Sequence, residues 1–580
     1  MDYIGVYKEW LSEDELTPEE KRRLEEMTDG ERKECFYAPL EFGTAGMRGT
    51  IDLGIAKMNR FTVRRATKGL ADFILSLGEA AAKRGVVIAY DTRRCSAEFA
   101  VLAAKTLSAA GVRAYIYEDV RPVPMCSFAV RHLGATAGIM ITASHNPKEY
   151  NGYKVYGDDG AQMSPESTAE VVKIIDKTPY FGIKTAETDI TPENIKGKDG
   201  VRADEFITVI GESVDARYFD AVTSLALSKE AVAALGGTVK IVYTPVHGTG
   251  YMPVTKVLAK MGIVPAVVPE QARPDTEFST VRVPNPEEAD TLSMGVALAE
   301  EIGSDIVIGT DPDADRMGVA VRDNEGKFVL LTGNQIGVLM EEYILRRRRE
   351  TGTLPKNGAV VKTIVTTDLA RKVADSYGVT TFDVLTGFKF IGEKIKEWET
   401  SGEFTYLFGF EESYGSLAGT YARDKDAVAA AMIFAEMVCY YAGLGLKVYD
   451  VLQDMFRRFG YYSEQAISIA FAGVGGMDKM RGIMQKLREE GLTSVDGARV
   501  AATDDLLAGV RHFADGEDCP TGLPATNALK LHLAGGDWVC VRPSGTEPKL
   551  KIYASAAAES YAGARSRAAG YLAFMKKCTA

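Results

Sequence analysis

The chain has 580 residues, 46% of them hydrophobic and 26% charged, and carries a formal net charge of −12 at pH 7. This length exceeds what one hydrophobic core serves and predicts several domains. The acidic balance disfavours general attraction to nucleic acid or anionic membranes, and no run approaches the roughly 20 apolar residues that a membrane-spanning helix needs.

The N-terminal segment, residues 1–35, alternates acidic and basic residues and places Trp10 on one face of a predicted helix. It lacks the apolar stretch of a signal peptide, so we expect a protein that stays in the cytoplasm. Seven scattered cysteines without a CxxC pair argue against both a disulfide framework and a zinc site, so we expect reduced thiols.

Several segments share one plan, in which an apolar, β-branched run leads into a polar loop and then into a helical pattern. They are "VVIAYDTRRCS" (86–96), "VKIVYTPVHGTG" (239–250), "SDIVIGTDPDADR" (304–316), "AVVKTIVTTDLARKVADSYG" (359–378) and "FTYLFGFEESYG" (404–415). This alternation predicts an α/β architecture. Ligands in such sheets bind beyond the carboxyl ends of the strands, so we expect the chemistry in these loops.

The boundaries between domains are marked by changes in composition. The polar stretch 184–200 is typical of a linker, the turn-rich stretch 322–327 precedes a new helical pattern, and residues 458–475 change from a helical to an alternating strand pattern. We therefore predict four domains: 1–200 with the N-terminal helix, 201–320, 321–455 and 456–580.

Ser144 and His145 stand side by side in "TASHNP", directly after an apolar run. Adjacent side chains in an extended loop point in opposite directions, so we expect His145 to be poorly placed as a base for this serine. The GxSxG pattern of a nucleophile elbow is also missing. Taken by itself, the segment favours a polar turn.

The second polar loop, "GTDPDADRMG", contains Asp311, Asp313 and Asp315 in alternation. In an extended loop all three carboxylates would face one side, where they would repel each other unless a cation lay between them. A ligand set made only of oxygen atoms suits Mg²⁺ better than zinc, and the spacing is not that of an EF-hand. The alternative is a solvated acidic turn, which the buried-looking strand before the loop disfavours.

Two later loops offer groups that bind sugars and phosphates. "GFEESYG" presents Glu411 and Ser413 on one side, a pair suited to hydrogen bonds with sugar hydroxyls, although acidic pairs are usually solvated. "VRPSGTEPKLKIYAS" concentrates phosphate-type donors between two predicted strands, and the alternative is a charged hairpin. The donors of this loop are Arg542, Ser544, Gly545, Thr546, Lys549 and Lys551.

Together the four loops supply a hydroxyl, a divalent-metal site, hydroxyl recognition and a remote phosphate clamp, which are the components of phosphoryl transfer on a sugar phosphate. At these loops the sequence strongly resembles the α-D-phosphohexomutase family of phosphoglucomutases and phosphomannomutases. "TASHNP" resembles the phosphoserine loop of that family, "DPDADR" its magnesium loop, "FEESYG" its sugar-binding loop and "RPSGTEPKLKIY" its C-terminal phosphate loop. "FGTAGMRG" (42–49) resembles its N-terminal active-site segment.

The resemblance implies four domains around a central cleft: three related α/β units with mixed sheets and a smaller, mobile α+β domain at the C-terminus. It also implies roles for individual residues. The catalytic group would be Ser144, Arg48, Lys154, His145 and Arg316; the metal ligands Ser144, Asp311, Asp313 and Asp315; the substrate-binding residues Thr386, Gly387, Glu411, Ser413 and Lys425; the phosphate-binding residues Arg542, Ser544, Gly545 and Thr546.

The activity implied by the resemblance is interconversion of hexose 1-phosphate and hexose 6-phosphate, with glucose as the preferred sugar. It would proceed through phosphorylated Ser144, one Mg²⁺ ion and glucose 1,6-bisphosphate as intermediate and activator. Phe410 stands where the family more often has glycine, and "YTPVHGTG" with the extra N-terminal helix resembles a longer, phosphoglucomutase-2-like subgroup. A phosphomannomutase, a phosphopentomutase, a sugar 1,6-bisphosphate synthase and, ranked lowest, a non-catalytic sugar-phosphate sensor remain the alternatives.

Overall fold

A computed structural model of the chain describes residues 2–43, 46–471, 475–544 and 549–579. The chain divides into two compact units. Unit 1 comprises the described residues up to Ile336 together with Ile391–Gly409 and Ser413–Lys447. Unit 2 comprises Gly337–Phe390, Phe410–Glu412 and the described residues from Val448 onwards.

Helices and strands alternate through the first three quarters of the chain, as the sequence predicts. The helices are α1 Tyr3–Leu11, α2 Pro18–Glu26, α3 Asp29–Phe36, α4 Arg60–Ser76, α5 Glu79–Arg84, α6 Ser96–Ala109, α7 Val123–Leu133, α8 Pro165–Ile175, α9 Glu212–Thr223, α10 Lys229–Leu235, α11 Tyr251–Met261, α12 Ser293–Ile302, α13 Gly333–Glu350, α14 Leu369–Tyr377, α15 Phe388–Ser401, α16 Ala427–Gly443, α17 Val448–Phe459, α18 Gly476–Glu490 and α19 Tyr561–Cys578. The strands are β1 Met47–Thr50, β2 Val86–Tyr90, β3 Ala114–Tyr117, β4 Ala137–Ile141, β5 Tyr150–Tyr156, β6 Ile207–Ile210, β7 Ile241–Thr244, β8 Ala266–Val267, β9 Ile306–Thr310, β10 Met317–Arg322, β11 Phe328–Leu330, β12 Gly358–Thr363, β13 Thr380–Val384, β14 Thr405–Phe410, β15 Ser416–Ala418, β16 Tyr461–Ala470, β17 Ser494–Val495, β18 Ala498–Asp505, β19 Val510–Phe513, β20 Asp518–Pro520, β21 Leu529–Leu533, β22 Trp538–Pro543 and β23 Lys549–Ala558.

Unit 1 contains two mixed sheets built on the same plan. The first has the strand order β1-β5-β4-β2-β3-β6, and the second has the order β11-β10-β9-β7-β8. In each sheet the central strands are parallel, and the last parallel strand is followed by an antiparallel neighbour: β4 by β5, and β9 by β10. The central strands β2, β4, β7 and β9 are buried along their whole length, because helices cover both faces of parallel sheets.

Unit 2 contains the parallel pair β12–β13 and a large antiparallel sheet with the strand order β16-β23-β22-β21-β18-β19-β20. Helices α18 and α19 contribute Met480, Met484, Leu572 and Met575 to a buried core against this sheet. The long strands β22 and β23 pair in antiparallel register, with Arg542 opposite Lys551. The C-terminal part of the chain is therefore rich in β-structure.

The three N-terminal helices of unit 1 pack around an aromatic cluster. Trp10 is buried and contacts the rings of Phe36, Phe61 and Phe181 at centroid distances of 5.6, 5.2 and 5.1 Å. Helices α2 and α3 each begin with a capping box, at Thr17 and at Thr28, which satisfies the first amide groups of both helices. The predicted N-terminal helix is thus a segment of three short helices.

Within the described part of the chain, no single helix is both long and apolar enough to cross a bilayer. Two consecutive helices, α16 and α17, are long and apolar enough for a membrane span only when they are counted together as a bent pair. Nearly all residues of α16 are buried inside the protein, as is usual for a core helix.

Candidate active site

Two of the predicted loops occupy equivalent positions in the two sheets of unit 1. The loop with Ser144 connects β4 to β5, and the loop with the three aspartates connects β9 to β10. Both loops therefore start at the carboxyl end of a parallel strand, which is where α/β sheets bind their ligands. The loop with Glu411 likewise lies between two consecutive strands, because it connects β14 to β15.

Each of the three loops contains a non-glycine residue in the left-handed backbone region. The φ angles are +53° at Ser144, +46° at Ala314 and +69° at Tyr414. Residues other than glycine rarely adopt this conformation, and where they do, the strain is often found at functional sites. The sequence gives no glycine signal at these three positions, so their backbone conformation could not be predicted.

Ser144 is buried, and its hydroxyl meets the aspartate loop directly. Ser144 Oγ lies 3.0 Å from Asp311 Oδ2 and 3.1 Å from His145 Nδ1. The expectation that His145 points away from the serine is therefore wrong. It assumed an extended backbone, whereas the left-handed conformation of Ser144 turns the histidine ring back towards the hydroxyl.

Arg93 holds the Ser144 loop in place, and sequence reasoning did not identify it. Its guanidinium donates hydrogen bonds to the carbonyl oxygens of Ser144, Asn146 and Pro147 at 2.5, 2.6 and 2.9 Å. Arg93 is buried and lies 3.3 Å from the Asp91 carboxylate, which balances its charge. The segment "YDTRRC" placed this arginine in a loop after a strand, but its contacts lie more than 50 residues away along the chain.

The carboxylates of Asp311, Asp313 and Asp315 converge, with one oxygen of each lying within 4.8 Å of the others. The loop is not extended as expected. It forms a turn in which Ala314 is left-handed, and Asp311 Oδ1 accepts hydrogen bonds from the backbone amides of Asp315 and Arg316. The turn brings the three side chains together by folding the loop around Asp311.

Two lysines lie against the outer side of this aspartate triad. Lys154 Nζ is 2.9 Å from Asp313 Oδ2, and Lys425 Nζ is 3.2 Å from Asp315 Oδ2. Burial by itself would raise the pKa of Asp315, but Lys425 and Lys154 lie so close that they hold it below its usual range. Burial, together with the charges of Asp313 and Asp315, raises the pKa of Asp311 well above its usual range.

The triad fits a divalent cation. Asp313 Oδ1 and Asp315 Oδ1 are buried and have no hydrogen-bond partner among the described residues. Buried carboxylate oxygens rarely lack a partner, and a bound cation would supply one to both. Because the whole set consists of oxygen atoms, it suits a hard ion such as Mg²⁺.

The remaining predicted catalytic residues of unit 1 surround the same place. Arg48 extends from β1 and donates to Asn146 Oδ1 at 2.9 Å, while Arg316 forms an ion pair with Glu287 at 2.7 Å. Burial and the neighbouring charges of Arg316 and Arg48 lower the pKa of His145 to about 2. The imidazole is therefore neutral near pH 7.

Unit 2 holds most of the predicted sugar-binding residues. The amide of Gly387 donates to Glu411 Oε1 at 2.9 Å, and Gly387 has a φ of +120°, a conformation that favours glycine. Thr386 directly precedes this glycine in the loop after β13. Unit 2 thus brings Thr386, Gly387 and Glu411 together, whereas Ser413 and Lys425 belong to unit 1.

The predicted phosphate clamp is described only in part. Arg542 lies near the end of β22, and the amide of Ser544 donates to the carbonyl oxygen of Lys549 at 2.7 Å. Burial raises the pKa of Cys540, two residues before Arg542, to about 12, although Lys530 and Arg542 oppose the shift. The predicted phosphate-binding residues Gly545 and Thr546 lie outside the described residues.

Family models match most of the chain, including the segments that carry these loops. The chain matches four models described as phosphoglucomutase/phosphomannomutase alpha/beta/alpha domains I, II and III and the C-terminal domain, over residues 39–180, 216–326, 332–459 and 489–569. The four-domain α/β class with a β-rich C-terminal domain is therefore confirmed, although the boundaries given above stay a prediction.

Curated relatives cover nearly the whole chain. A phosphoglucomutase of Staphylococcus epidermidis is 36% identical over 541 residues, which is 92% of this chain and 94% of that protein. A phosphoglucomutase of Staphylococcus aureus is 33% identical over 539 residues, 92% of this chain and 93% of that protein.

Solved structures share the fold at lower sequence identity. Parafusin of Paramecium, a phosphoglucomutase solved in an open form, aligns with a TM-score of 0.66 at 17% identity, covering 94% of this chain and 95% of that chain. An N-acetylphosphoglucosamine mutase of Aspergillus fumigatus, in complex with GlcNAc-6P and magnesium, aligns with a TM-score of 0.53 at 14% identity, covering 97% and 100%. The chain belongs to the phosphoglucomutase/phosphomannomutase family.

Proposed function

We propose that the protein interconverts hexose 1-phosphate and hexose 6-phosphate, with glucose as the preferred sugar, through a phosphorylated Ser144. The observation that carries the proposal is the 3.0 Å approach of Ser144 Oγ to Asp311 in a triad that fits a divalent cation. A serine beside such a site can pass a phosphoryl group to and from a sugar hydroxyl. The phosphoglucomutase relatives, which span most of both chains, support the choice of glucose.

The metal ligands would be Asp311, Asp313, Asp315 and an oxygen on Ser144. One Mg²⁺ ion bound there would offset the negative charge that builds up on the phosphoryl oxygens during transfer.

Lys154 would stabilise charge in this reaction, because it is protonated. Burial would lower the pKa of its ammonium group, but Asp313 and Asp315 raise it above its usual value. Arg48 and Arg316 would add positive charge at the edge of the site, and the neutral imidazole of His145 would orient the serine oxygen or the incoming hydroxyl. Ser144 itself needs no adjacent base when it already carries the phosphoryl group.

A single phosphoserine requires the substrate to bind in two orientations. After Ser144 phosphorylates glucose 1-phosphate at O6, the resulting glucose 1,6-bisphosphate must turn end for end before its O1 phosphate returns to the serine and glucose 6-phosphate is released. Glu411, Ser413, Thr386 and Gly387 would bind the sugar in both orientations, and Lys425 would bind the substrate beside the aspartate triad.

The phosphate that is not being transferred would bind at the C-terminal loop. Its ligands would be Arg542, Ser544, Gly545 and Thr546. Binding energy from this remote group can be used to align the reacting oxygen, which would make the loop part of catalysis and not only of binding.

A substrate panel tests the proposal and its alternatives. We expect conversion of glucose 1-phosphate to exceed that of the mannose, glucosamine, ribose and deoxyribose phosphates, and added glucose 1,6-bisphosphate to accelerate it. Preference for a mannose or pentose phosphate would identify a phosphomannomutase or a phosphopentomutase. Net formation of bisphosphate from another phosphoryl donor would identify a synthase, and binding without turnover would identify a sensor.

A further inference from the structure

Asp424 is a buried carboxylate of unit 1 that lies outside the aspartate triad. Its Oδ1 accepts a hydrogen bond from Lys425 Nζ at 2.9 Å and another from the backbone amide of Lys425, also at 2.9 Å. Because Lys425 Nζ lies 3.2 Å from Asp315 Oδ2 as well, its ammonium is shared between one carboxylate inside the triad and one outside it.

The other oxygen of Asp424 is held by side chains from a distant part of the sequence. Asp424 Oδ2 accepts hydrogen bonds from Tyr156 Oη at 3.0 Å and from Gln162 Nε2 at 3.2 Å. Both carboxylate oxygens therefore have partners, and a buried group with all its hydrogen bonds made is fixed in position.

One strand places both lysines of the site. Lys154 and Tyr156 are two residues apart on β5, so their side chains lie on the same face of the sheet. Lys154 contacts Asp313 directly, and Tyr156 acts on Lys425 through Asp424. The spacing of Lys154 and Tyr156 on β5 therefore determines where both ammonium groups lie. It places Lys154 directly and Lys425 through Asp424.

The methylene chain of Lys425 is also confined, by the backbone at Gly415. A Cβ atom at Gly415 would lie 2.1 Å from Lys425 Cδ, so the glycine that ends the loop 411–415 leaves room only for the methylene chain of this lysine. The ammonium cannot move far without moving the loop.

We propose that Asp424 is a positioning residue, which holds Lys425 at the edge of the metal site so that its ammonium turns from Asp315 to a phosphoryl oxygen when the triad binds its cation. A bound cation draws the charge of Asp315 away from Lys425, whereas Asp424 is tied by Tyr156 and Gln162 and keeps its hold. Without Asp424, Lys425 would lose the carboxylate that draws its ammonium away from Asp315, and it would compete more strongly with the cation for Asp315. The role towards the phosphoryl group rests on the proposed function, but the effect on cation binding does not.

The first test is calorimetric titration of the dephosphorylated protein with Mg²⁺. We expect Asp424→Asn to weaken binding about tenfold, the lower end of what losing a charged hydrogen bond costs. The matched control is Asp159→Asn, which removes a partly exposed partner of Lys396, 3.0 Å away, and should leave the affinity unchanged. Unchanged affinity in Asp424→Asn would overturn the proposal.

A double-mutant cycle separates positioning from a simple change of charge. If Asp424 acts through Lys425, Asp424→Asn should have no further effect on Mg²⁺ affinity in a Lys425→Met background. An equal loss in both backgrounds would mean that the carboxylate acts directly on the cation, and the positioning role would be wrong.

Turnover supplies an independent readout. We expect Asp424→Asn to lower kcat about ten- to a hundredfold while KM changes less than about threefold, since the lysine would act on the transferred group. An unchanged kcat would contradict the role of Lys425 in transfer. If the parent protein turned over no hexose phosphate, the proposed function would fail, and the titrations would still decide the role of Asp424.

A milder variant covers the case in which Asp424→Asn does not fold. Tyr156→Phe removes one hydroxyl and keeps the ring, and we expect it to weaken Mg²⁺ binding in the same direction by about two- to fivefold, as the loss of one neutral hydrogen bond implies. If Tyr156→Phe left the Mg²⁺ affinity unchanged, Asp424 would be only a brace between two segments of unit 1.

Discussion

Each of the two units buries lysines among aspartates, but the two clusters are arranged in opposite ways. In unit 2 the ammonium of Lys362 lies between Asp368 and Asp383, 3.0 Å from each. In unit 1 the carboxylates of the triad meet each other, and Lys154 and Lys425 lie outside them.

The pKa values of Asp368 in unit 2 and Asp311 in unit 1 shift in opposite directions. Burial alone would raise the pKa of both Asp368 and Asp311. Lys362 brings the pKa of Asp368 below its usual range, whereas Asp313 and Asp315 add to the rise at Asp311. A buried charged cluster is therefore a candidate cation site only where its carboxylates face one another. Where a lysine lies between the carboxylates, the cluster contributes to stability instead.

The largest effect should come from Ser144→Ala. If the unit 1 cluster performs phosphoryl transfer, loss of the hydroxyl should lower kcat at least about 10⁴-fold, the scale of removing a nucleophile. Intact-mass analysis should find a phosphorylated fraction in the parent that is missing in the variant, and thermal unfolding should confirm that the variant folds. Substantial mutase activity in the variant would exclude Ser144 as the phosphoryl carrier.

The next largest effect should be on stability, in unit 2. Lys362→Met removes the buried ammonium from Asp368 and Asp383, whose side chains are 29% and 32% exposed, and Asp383 keeps Arg371 as a partner at 2.8 Å. We therefore expect the free energy of unfolding to fall by about 1.5–3 kcal/mol, the scale of losing a charged hydrogen bond, with Mg²⁺ affinity unchanged. Urea unfolding and calorimetry measure the two quantities. The control is Lys68→Met, whose partly exposed pair with Asp72 should contribute less than about 1 kcal/mol. A loss of Mg²⁺ affinity in Lys362→Met would break the contrast between the clusters.

Asp313→Asn should have the opposite profile. It removes one of three carboxylates that face each other, so Mg²⁺ affinity and kcat should both fall about a hundredfold or more, since even indirect ligand contacts cost 10- to 100-fold. Stability of the metal-free protein should change little. Asp383→Asn is the matched control, with a loss of stability and no loss of Mg²⁺ affinity. A reaction insensitive to chelators in the parent would rule out the metal role of the triad.

The smallest effect should follow Arg542→Ala. Losing one charge-assisted phosphate contact should lower kcat/KM about ten- to a hundredfold, through both KM and kcat, with Mg²⁺ affinity unchanged. Arg499→Ala, an exposed arginine of the same sheet, should have no effect and serves as the control. An unchanged kcat/KM in Arg542→Ala would reduce the C-terminal loop to a charged hairpin.

The parts of the molecule that sequence reasoning predicted correctly depend on local signals. The apolar run 86–90 is a buried strand, and the loops after β4 and β9 lie where the alternation of strands and helices put them. The path of these loops could not be predicted, because Ser144 and Ala314 adopt left-handed conformations that neither residue type signals. That is why His145 was expected on the wrong side of the serine.

The supporting residues were missed for a different reason. Asp424 and Tyr156 are 268 positions apart, and Arg93 and Ser144 are 51 apart. Such pairs come together only through tertiary packing, which composition and periodicity do not report. The segment "ARDKDA" marks Asp424 only as one acid among several.

The aromatic cluster around Trp10 has a consequence for the order of folding. Its rings come from positions 10, 36, 61 and 181, so the N-terminal helices cannot complete their packing until Phe181 has been synthesised. At about 5–20 residues per second, synthesis from residue 36 to residue 181 takes roughly 7–30 s, during which the apolar faces of α1–α3 have no final partner. Contacts between residues so far apart in sequence slow folding. The many charges on α1–α3 favour solubility of this segment until Phe181 is available.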